Sequence, residues 1–348
     1  MASIKTTVIW AKDQLHTLQE DFHDFNPAAV KLLPRPSPLE FSKIVGKGQP
    51  SLLKIYTPHD VASSSPPWPA CSWTRKDLES KVVDTVEVAV TPYGNADALV
   101  SVPDDESGPN QVKIFVQPAA VQLTITELFE ELSPQTNPRD GPAPPVYYLQ
   151  SQDSNLTTTP LSPLLSDLPQ NFDFAVDILG EPDARNIWIG DERSVTSIHR
   201  DPYENLYLVL RGSKTFRLWP PVDEISMPTQ KVRTGSYRFR QEGKVSRFEV
   251  DLDPDGEIPW VDHDPLSISS EEVGKMRIVT VQPGQMLYLP AGWYHHVSQE
   301  CGTWDDGSFA PCIAINYWFD MDYEGEKFVM RQLMSRLVNL AKEMPADS

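Results

Sequence analysis

From Pro145 to Phe319 the sequence is cut by Gly, Pro and Asp into short apolar or alternating runs, and this punctuation limits the possible folds more than any other feature. The runs cover residues 146–150, 185–190, 206–211, 214–218, 245–252, 276–281, 286–289 and 312–319. Each is too short for a self-supporting helix and has the length of a strand. A succession of short strands closed by turns predicts a sandwich or jelly roll. No period of repeat length recurs along the chain, which argues against a solenoid.

The flanks read differently. Leu15, Leu18, Phe22 and Phe25 recur at helical spacing, and Ser37-Pro38 opens a second short helix with Phe41, Ile44 and Val45 on one face and Gly46 as its stop. Val86, Val88 and Val90 alternate as a half-buried strand does, and Thr124 with Glu127 forms a capping box ahead of Leu128, Phe129 and Leu132. Residues 63–69 and 133–145 are proline-rich connections, the second a natural boundary. Beyond Asp322, Met330, Leu333, Leu337 and Leu340 form a helical stripe. The chain thus divides into an α/β region over 1–144 that packs on the core, a β core over 145–322 and a C-terminal helix over 323–348. The fold class is mainly β with flanking helices.

Composition narrows the function. The 348 residues carry 49 acidic and 30 basic side chains, a formal charge of −19, which leaves no electrostatic footprint for direct nucleic-acid binding. A basic protein or peptide is the better partner. Three cysteines, Cys71, Cys301 and Cys312, without a Cys-x-x-Cys pair, fit neither a disulfide framework nor a structural zinc site. The N-terminal apolar stretch is too brief for a secretory signal, and the longest uncharged run, between Arg277 and Glu300, is interrupted by Pro and Gly, so no membrane association is expected. The expected setting is cytoplasmic or nuclear.

His199 and Asp201 stand two apart, so on extended chain they point to one face. A salt-bridged loop histidine has the same spacing. Ninety-six residues after His199, a turn at Gly284, the apolar run Met286 to Leu289 and a Pro290-Ala291-Gly292 turn lead to His295 and His296. Two imidazoles and a carboxylate that leave open positions are what a non-haem Fe(II) oxygenase requires, since co-substrate and O2 must both reach the metal. A tetrahedral zinc hydrolase needs one open position and is a poorer match.

With these segments in view the sequence resembles the JmjC (jumonji-C, cupin-related) 2-oxoglutarate oxygenases, and within them the protein lysyl hydroxylases. The resemblance is carried by Val88 to Ala98, Val195 to Tyr207, Met286 to Val297 and Ile315 to Met321, and it extends from about Pro38 to the C-terminus. It implies a double-stranded β-helix core in which His199, Asp201 and His295 hold Fe(II), with His296 structural. It also implies that Lys214 pairs with the distal carboxylate of 2-oxoglutarate, aided by the hydroxyls of Thr196 and Tyr148. Asn205 and Asn316 line the metal and co-substrate pocket, and Trp318 forms an aromatic wall. Considered alone, Lys214 is more often a solvated hairpin lysine, Tyr148 and Trp318 are more often core aromatics, and Asn205 reads as a turn cap. Tyr147 competes with Tyr148 for the pocket, because neighbours on a strand face opposite sides. Cys301 and Cys312 bracket a loop after His295, as thiols near the iron or as ordinary free thiols.

The implied reaction consumes 2-oxoglutarate and O2 and hydroxylates a lysine in a protein. The acidic stretch Asp251 to Asp264 suits such a substrate, although a solvated loop would look the same. The resemblance points to a developmentally regulated GTP-binding protein as partner and to a homodimer through the C-terminal helix. The competing expectations are a histone N-methyl-lysine demethylase, a JmjC-type peptidase and a non-catalytic cupin-like scaffold.

Overall fold

The computed structural model describes residues 2–57, 67–104, 108–133, 144–150, 154–243, 245–263 and 275–343. Two sheets form the centre. The larger has nine strands in the order Leu32–Pro34, Ser51–Lys54, Gln285–Leu289, Tyr203–Arg211, Cys312–Asp320, Ala184–Gly190, Val146–Leu149, Val86–Thr91 and Ala119–Leu123. The smaller has five, in the order Arg277–Val281, Ser213–Trp219, Tyr294–Glu300, Val195–Arg200 and Asn95–Ala96. They face each other as a jelly roll with flanking helices, as the strand punctuation predicts.

Alternation decides which side chains reach the interior. In Tyr203–Arg211, Leu206, Leu208 and Leu210 turn outward to one apolar cluster while Tyr207 and Val209 turn inward to another. A strand so flanked is buried on both faces, which is why its sequence is nearly continuous in apolar residues. The inner cluster joins Tyr148, Trp188 and Trp318 of the large sheet to Phe216, Val279 and Val297 of the small one. The outer face is covered by Phe41 of helix Pro38–Lys47, Leu78 of helix Arg75–Lys81, and Leu128 and Phe129 of helix Ile125–Leu132. A capping box opens each of these helices, at Ser37–Glu40, Thr74–Asp77 and Thr124–Glu127.

Several expectations need correction. Gly46 does not end its helix; Gly48, in the left-handed region at φ 60°, does, because that conformation closes the last turn without a Cβ penalty. The acidic stretch is not a loop. Residues 251–261 belong to the strand Val245–Val261, paired with Thr229–Glu242, and three carboxylates of the stretch meet bases. Arg238 reaches Asp251 at 2.9 Å, Lys231 pairs with Glu257 and Lys113 with Asp262. Asp264 and most of the two proline-rich connections lie outside the described residues.

The terminal helices also depart from their apolar stripes: the first keeps only Leu15 and Phe22 of its stripe inward, and the last turns another face in. Helix Ala2–Phe25 buries Leu15, Gln19 and His23, the last two hydrogen-bonded to Asp223, and leaves Leu18 and Phe25 exposed. Helix Glu326–Glu343 packs Met334, Val338 and Ala341 against Leu15 and Ile225, leaving Met330, Leu333, Leu337 and Leu340 exposed. That stripe does not fold back on its own jelly roll. No helix among the described residues is long and apolar enough to cross a membrane.

Candidate metal centre

His199 and His295 lie opposite each other in the antiparallel pair Val195–Arg200 and Tyr294–Glu300, so their rings project from the same face. The ring centroids are 4.2 Å apart. Asp201 follows directly, and its carbonyl accepts from Gly292 N–H at 2.8 Å, which ties the turn before His295 to the end of the first strand. Gly292 has φ 79°, the left-handed conformation that the Pro290-Ala291-Gly292 turn demands. The Asp201 carboxylate stands 3.7 Å from Nε2 of His199 and 3.6 Å from Nε2 of His295. The ligand atoms of all three residues lie within 4.8 Å of one another.

A bulge makes this grouping possible. Thr196 opposes Val297 and His199 opposes His295, so Ser197 and Ile198 on one strand stand against His296 alone on the other. On a regular strand Thr196 and His199 would face opposite sides; the inserted residue turns both inward. Each imidazole donates from Nδ1 to a backbone carbonyl, His199 to Ser197 at 2.9 Å and His295 to Trp293 at 3.1 Å. That makes Nδ1 the donor on each ring and turns both Nε2 atoms towards Asp201. Burial, followed by the neighbouring His199, lowers the His295 pKa to about 4, which keeps its lone pair available at neutral pH. His296 opposes Arg217 on the other face of the sheet.

On the same inward face, four positions farther along, Lys214 opposes Gln299 as Leu218 opposes His295. Lys214 is 1% exposed. Its ammonium donates to the Tyr148 hydroxyl at 2.9 Å and lies 5.0 Å from that ring's centroid; it meets no carboxylate among the described residues. Tyr148 thus faces the interior while Tyr147 joins the outer cluster, as strand alternation requires. Burial raises the Tyr148 pKa, so the phenol keeps its proton. Gly190 lies opposite Tyr148, and a Cβ there would come within 2.6 Å of the tyrosine ring.

Asn205 and Asn316 are buried and joined, Asn316 Nδ2 donating to Asn205 Oδ1 at 3.3 Å. Trp188 Nε1 donates to Asn316 Oδ1 at 2.8 Å, which fixes which end of the amide faces inward. Trp318 stacks on Tyr203 at 5.0 Å, where two central strands of the large sheet end. Cys301 donates to Glu192 and Cys312 is buried, both as free thiols. Thr196 lines a cavity of about 490 Å³ together with His199, Asp201, Gln150, Trp260 and Asp97. Sequence reasoning missed Trp188, Gly190, Gln299 and Asp97. Only the alternation of Asn186, Trp188 and Gly190 hinted at an inward row.

Comparison with known proteins bears on the fold and the family. A family model described as a cupin-like domain matches residues 36–325. The human bifunctional peptidase and (3S)-lysyl hydroxylase JMJD7 is 35% identical, across 89% of this chain and 90% of its own. The JmjC domain-containing protein E of Dictyostelium discoideum is 30% identical over 78% of this chain and 80% of its own. The lysine-specific demethylase JMJ32 of Arabidopsis thaliana is also 30% identical, over 83% of this chain and 81% of its own.

Proposed function

This chain belongs to the cupin-like JmjC oxygenase family, and from that premise we propose that it is an Fe(II)- and 2-oxoglutarate-dependent hydroxylase of a lysine side chain in a protein substrate. The observation that carries the reading is the buried Lys214 ammonium, without a carboxylate partner among the described residues, on the same inner face as the His199, Asp201 and His295 cluster. A buried cation is costly unless paired. A dicarboxylic acid with one end at the metal would supply the missing partner. Lys214 and His295 are four residues apart along the sheet, roughly 13 Å between backbone positions, a span that a lysine stem and a five-carbon diacid bridge together. A zinc peptidase would leave Lys214 without a task.

The donor set fits divalent iron: two imidazole nitrogens and one carboxylate, gathered at one side. In this reading the Ser197 and Trp293 carbonyls hold the Nδ1 protons of His199 and His295, so both Nε2 atoms face the metal position. Lys214 and the Tyr148 hydroxyl bind the distal carboxylate of 2-oxoglutarate, with Thr196 on the cavity side. Trp188 orients the Asn316 amide, which in turn holds Asn205. Bound iron with 2-oxoglutarate and O2 would supply the oxidation that places a hydroxyl group on the substrate.

Two relatives bear names for different lysine chemistry, hydroxylation in one and demethylation in the other. Greater identity and coverage favour hydroxylation. Lysine-bearing segments of developmentally regulated GTP-binding proteins are the first peptides to test. The outward stripe of Met330, Leu333, Leu337 and Leu340, beside Leu18 and Phe25, supports self-association. The test of the metal assignment is Asp201→Ala. A folded variant, checked by circular dichroism, should lose Fe(II) binding and 2-oxoglutarate-dependent succinate formation together; retention of both would move the centre elsewhere.

A further inference from the structure

Beside the triad, the short strand Asn95–Ala96 runs parallel to Val195–Arg200, with Ala96 opposite Thr196. The next residue, Asp97, has φ 52°, and its carbonyl accepts a hydrogen bond from the Ser197 hydroxyl. Left-handed backbone is uncommon for a side-chain-bearing residue and is penalised least for Asn and Asp. The turn presents the Asp97 side chain to the cavity that also holds His199 and Asp201. Its carboxylate has no hydrogen-bond or ion-pair partner among the described residues; burial raises its pKa, an effect the neighbouring His199 only partly offsets, so an incoming cation would stabilise its charge.

The rest of the chamber suits one kind of guest. Glu87 lies exposed on the cavity wall, also without an ion pair among the described residues. Trp260 and Phe115 add an aromatic pair with centroids 4.4 Å apart. The cation that lines it, Arg200, is held in a bidentate pair with Glu224 at 2.8 and 2.9 Å. The chamber therefore offers free negative charge close to the metal centre and an apolar wall beside it. The acidic hairpin strand is a weaker claimant for a basic guest, because Asp251, Glu257 and Asp262 are already paired.

We propose that Asp97 determines substrate specificity by receiving the ε-ammonium of the target lysine, with the alkyl stem along Trp260 and its carbons presented to the metal centre. This rests on the lysyl hydroxylase reading of the site. An ammonium brings a full charge and three N–H donors to a carboxylate that lacks a partner. Trimethylation removes all three donors and enlarges the head, so the site selects against fully methylated lysine.

The test uses the full chain loaded with Fe(II) and 2-oxoglutarate without O2, and fluorescence anisotropy of labelled peptides that differ at one position: lysine, norleucine or trimethyl-lysine. Losing one partner of a desolvated charge pair weakens binding about 30-fold or more, so wild-type protein should prefer lysine to norleucine by at least that ratio. In Asp97→Asn, a near-isosteric change that tolerates the same backbone, the ratio should fall towards one. Glu87→Gln, at an exposed position, should lower it by less. An undiminished ratio in Asp97→Asn overturns the proposal. So does wild-type protein that binds norleucine or trimethyl-lysine as tightly as lysine, an outcome that needs no variant to fold. If the ratio is present and depends on Asp97, yet mass spectrometry after O2 addition shows no hydroxylated lysine, the ammonium site stands and the hydroxylase reading fails.

Discussion

Replacing Lys214 by methionine should move two measurable quantities in opposite directions. The side chain is 1% exposed, and its charge is met by one hydrogen bond of 2.9 Å to Tyr148 and by that tyrosine's ring. A hydrogen bond to a charged group contributes about 1.5–3 kcal/mol and a cation–π contact about 1–2 kcal/mol. Removing an ammonium from water costs more than these return unless a carboxylate completes the pair. Methionine fills a similar volume without the charge, so the co-substrate-free variant should be about 1–3 kcal/mol more stable than the parent. With 2-oxoglutarate the sign reverses. A buried ion pair broken at one partner costs about 3–5 kcal/mol, which weakens co-substrate binding about 100-fold or more. Urea unfolding without co-substrate measures the first quantity, and calorimetric titration of the metal-loaded protein with 2-oxoglutarate measures the second. An unchanged affinity, or a co-substrate-free variant less stable than the parent, would show that Lys214 carries no unpaired buried charge awaiting a carboxylate.

The His295 imidazole titrates near pH 4 in the folded protein because burial disfavours its charge, against 6.5 for an ordinary histidine. Between those values the unfolded chain holds a proton that the folded one lacks, so this contribution is complete above pH 6.5 and is lost on acidification, by about 3 kcal/mol. Metal-free His295→Gln should therefore lose less stability than the parent between pH 7 and 4.5 in urea unfolding; parallel losses would contradict the shift. Gly190→Ala should destabilise by about 1–3 kcal/mol and weaken 2-oxoglutarate binding, since its Cβ would press on Tyr148 and Gln299; wild-type affinity would show that the tyrosine yields freely. Sedimentation should show a dimeric parent that becomes a folded monomer on Leu333→Glu with Leu337→Glu, and a monomeric parent would end the self-association proposal.

The jelly roll was legible because its central strands, such as Tyr203–Arg211 and Cys312–Asp320, are buried on both faces and need near-continuous apolar runs between turns. The strands that carry the chemistry were harder to see. Val195–Arg200 reads Val-Thr-Ser-Ile-His-Arg, a polar segment whose assignment rests on its partner Tyr294–Glu300 and on a bulge that no local pattern encodes. The spacing of His199 and Asp201 survives as a clue because it depends only on extended backbone, whereas Thr196 joins them through the bulge. Lys214 was visible from its family context, but its lack of an acidic partner is a fact of burial. Asp97 carries no sequence signal beyond its place in Val88 to Ala98; its exposure to the cavity comes from a left-handed turn. The terminal helix misled for another reason. Its longest apolar stripe and its packed face differ, since Leu15 and Ile225 receive Met334, Val338 and Ala341.

The fate of a lysine beside the His199, Asp201 and His295 cluster distinguishes hydroxylation from every competing reaction. Incubating the protein with Fe(II), 2-oxoglutarate, isotopically heavy O2 and a lysine-bearing peptide, followed by fragment mass spectrometry, examines that event directly. The result expected is one labelled oxygen on the lysine side chain, matched by succinate. Peptide cleavage, or removal of methyl groups from methylated lysine with unmodified lysine untouched, would contradict it.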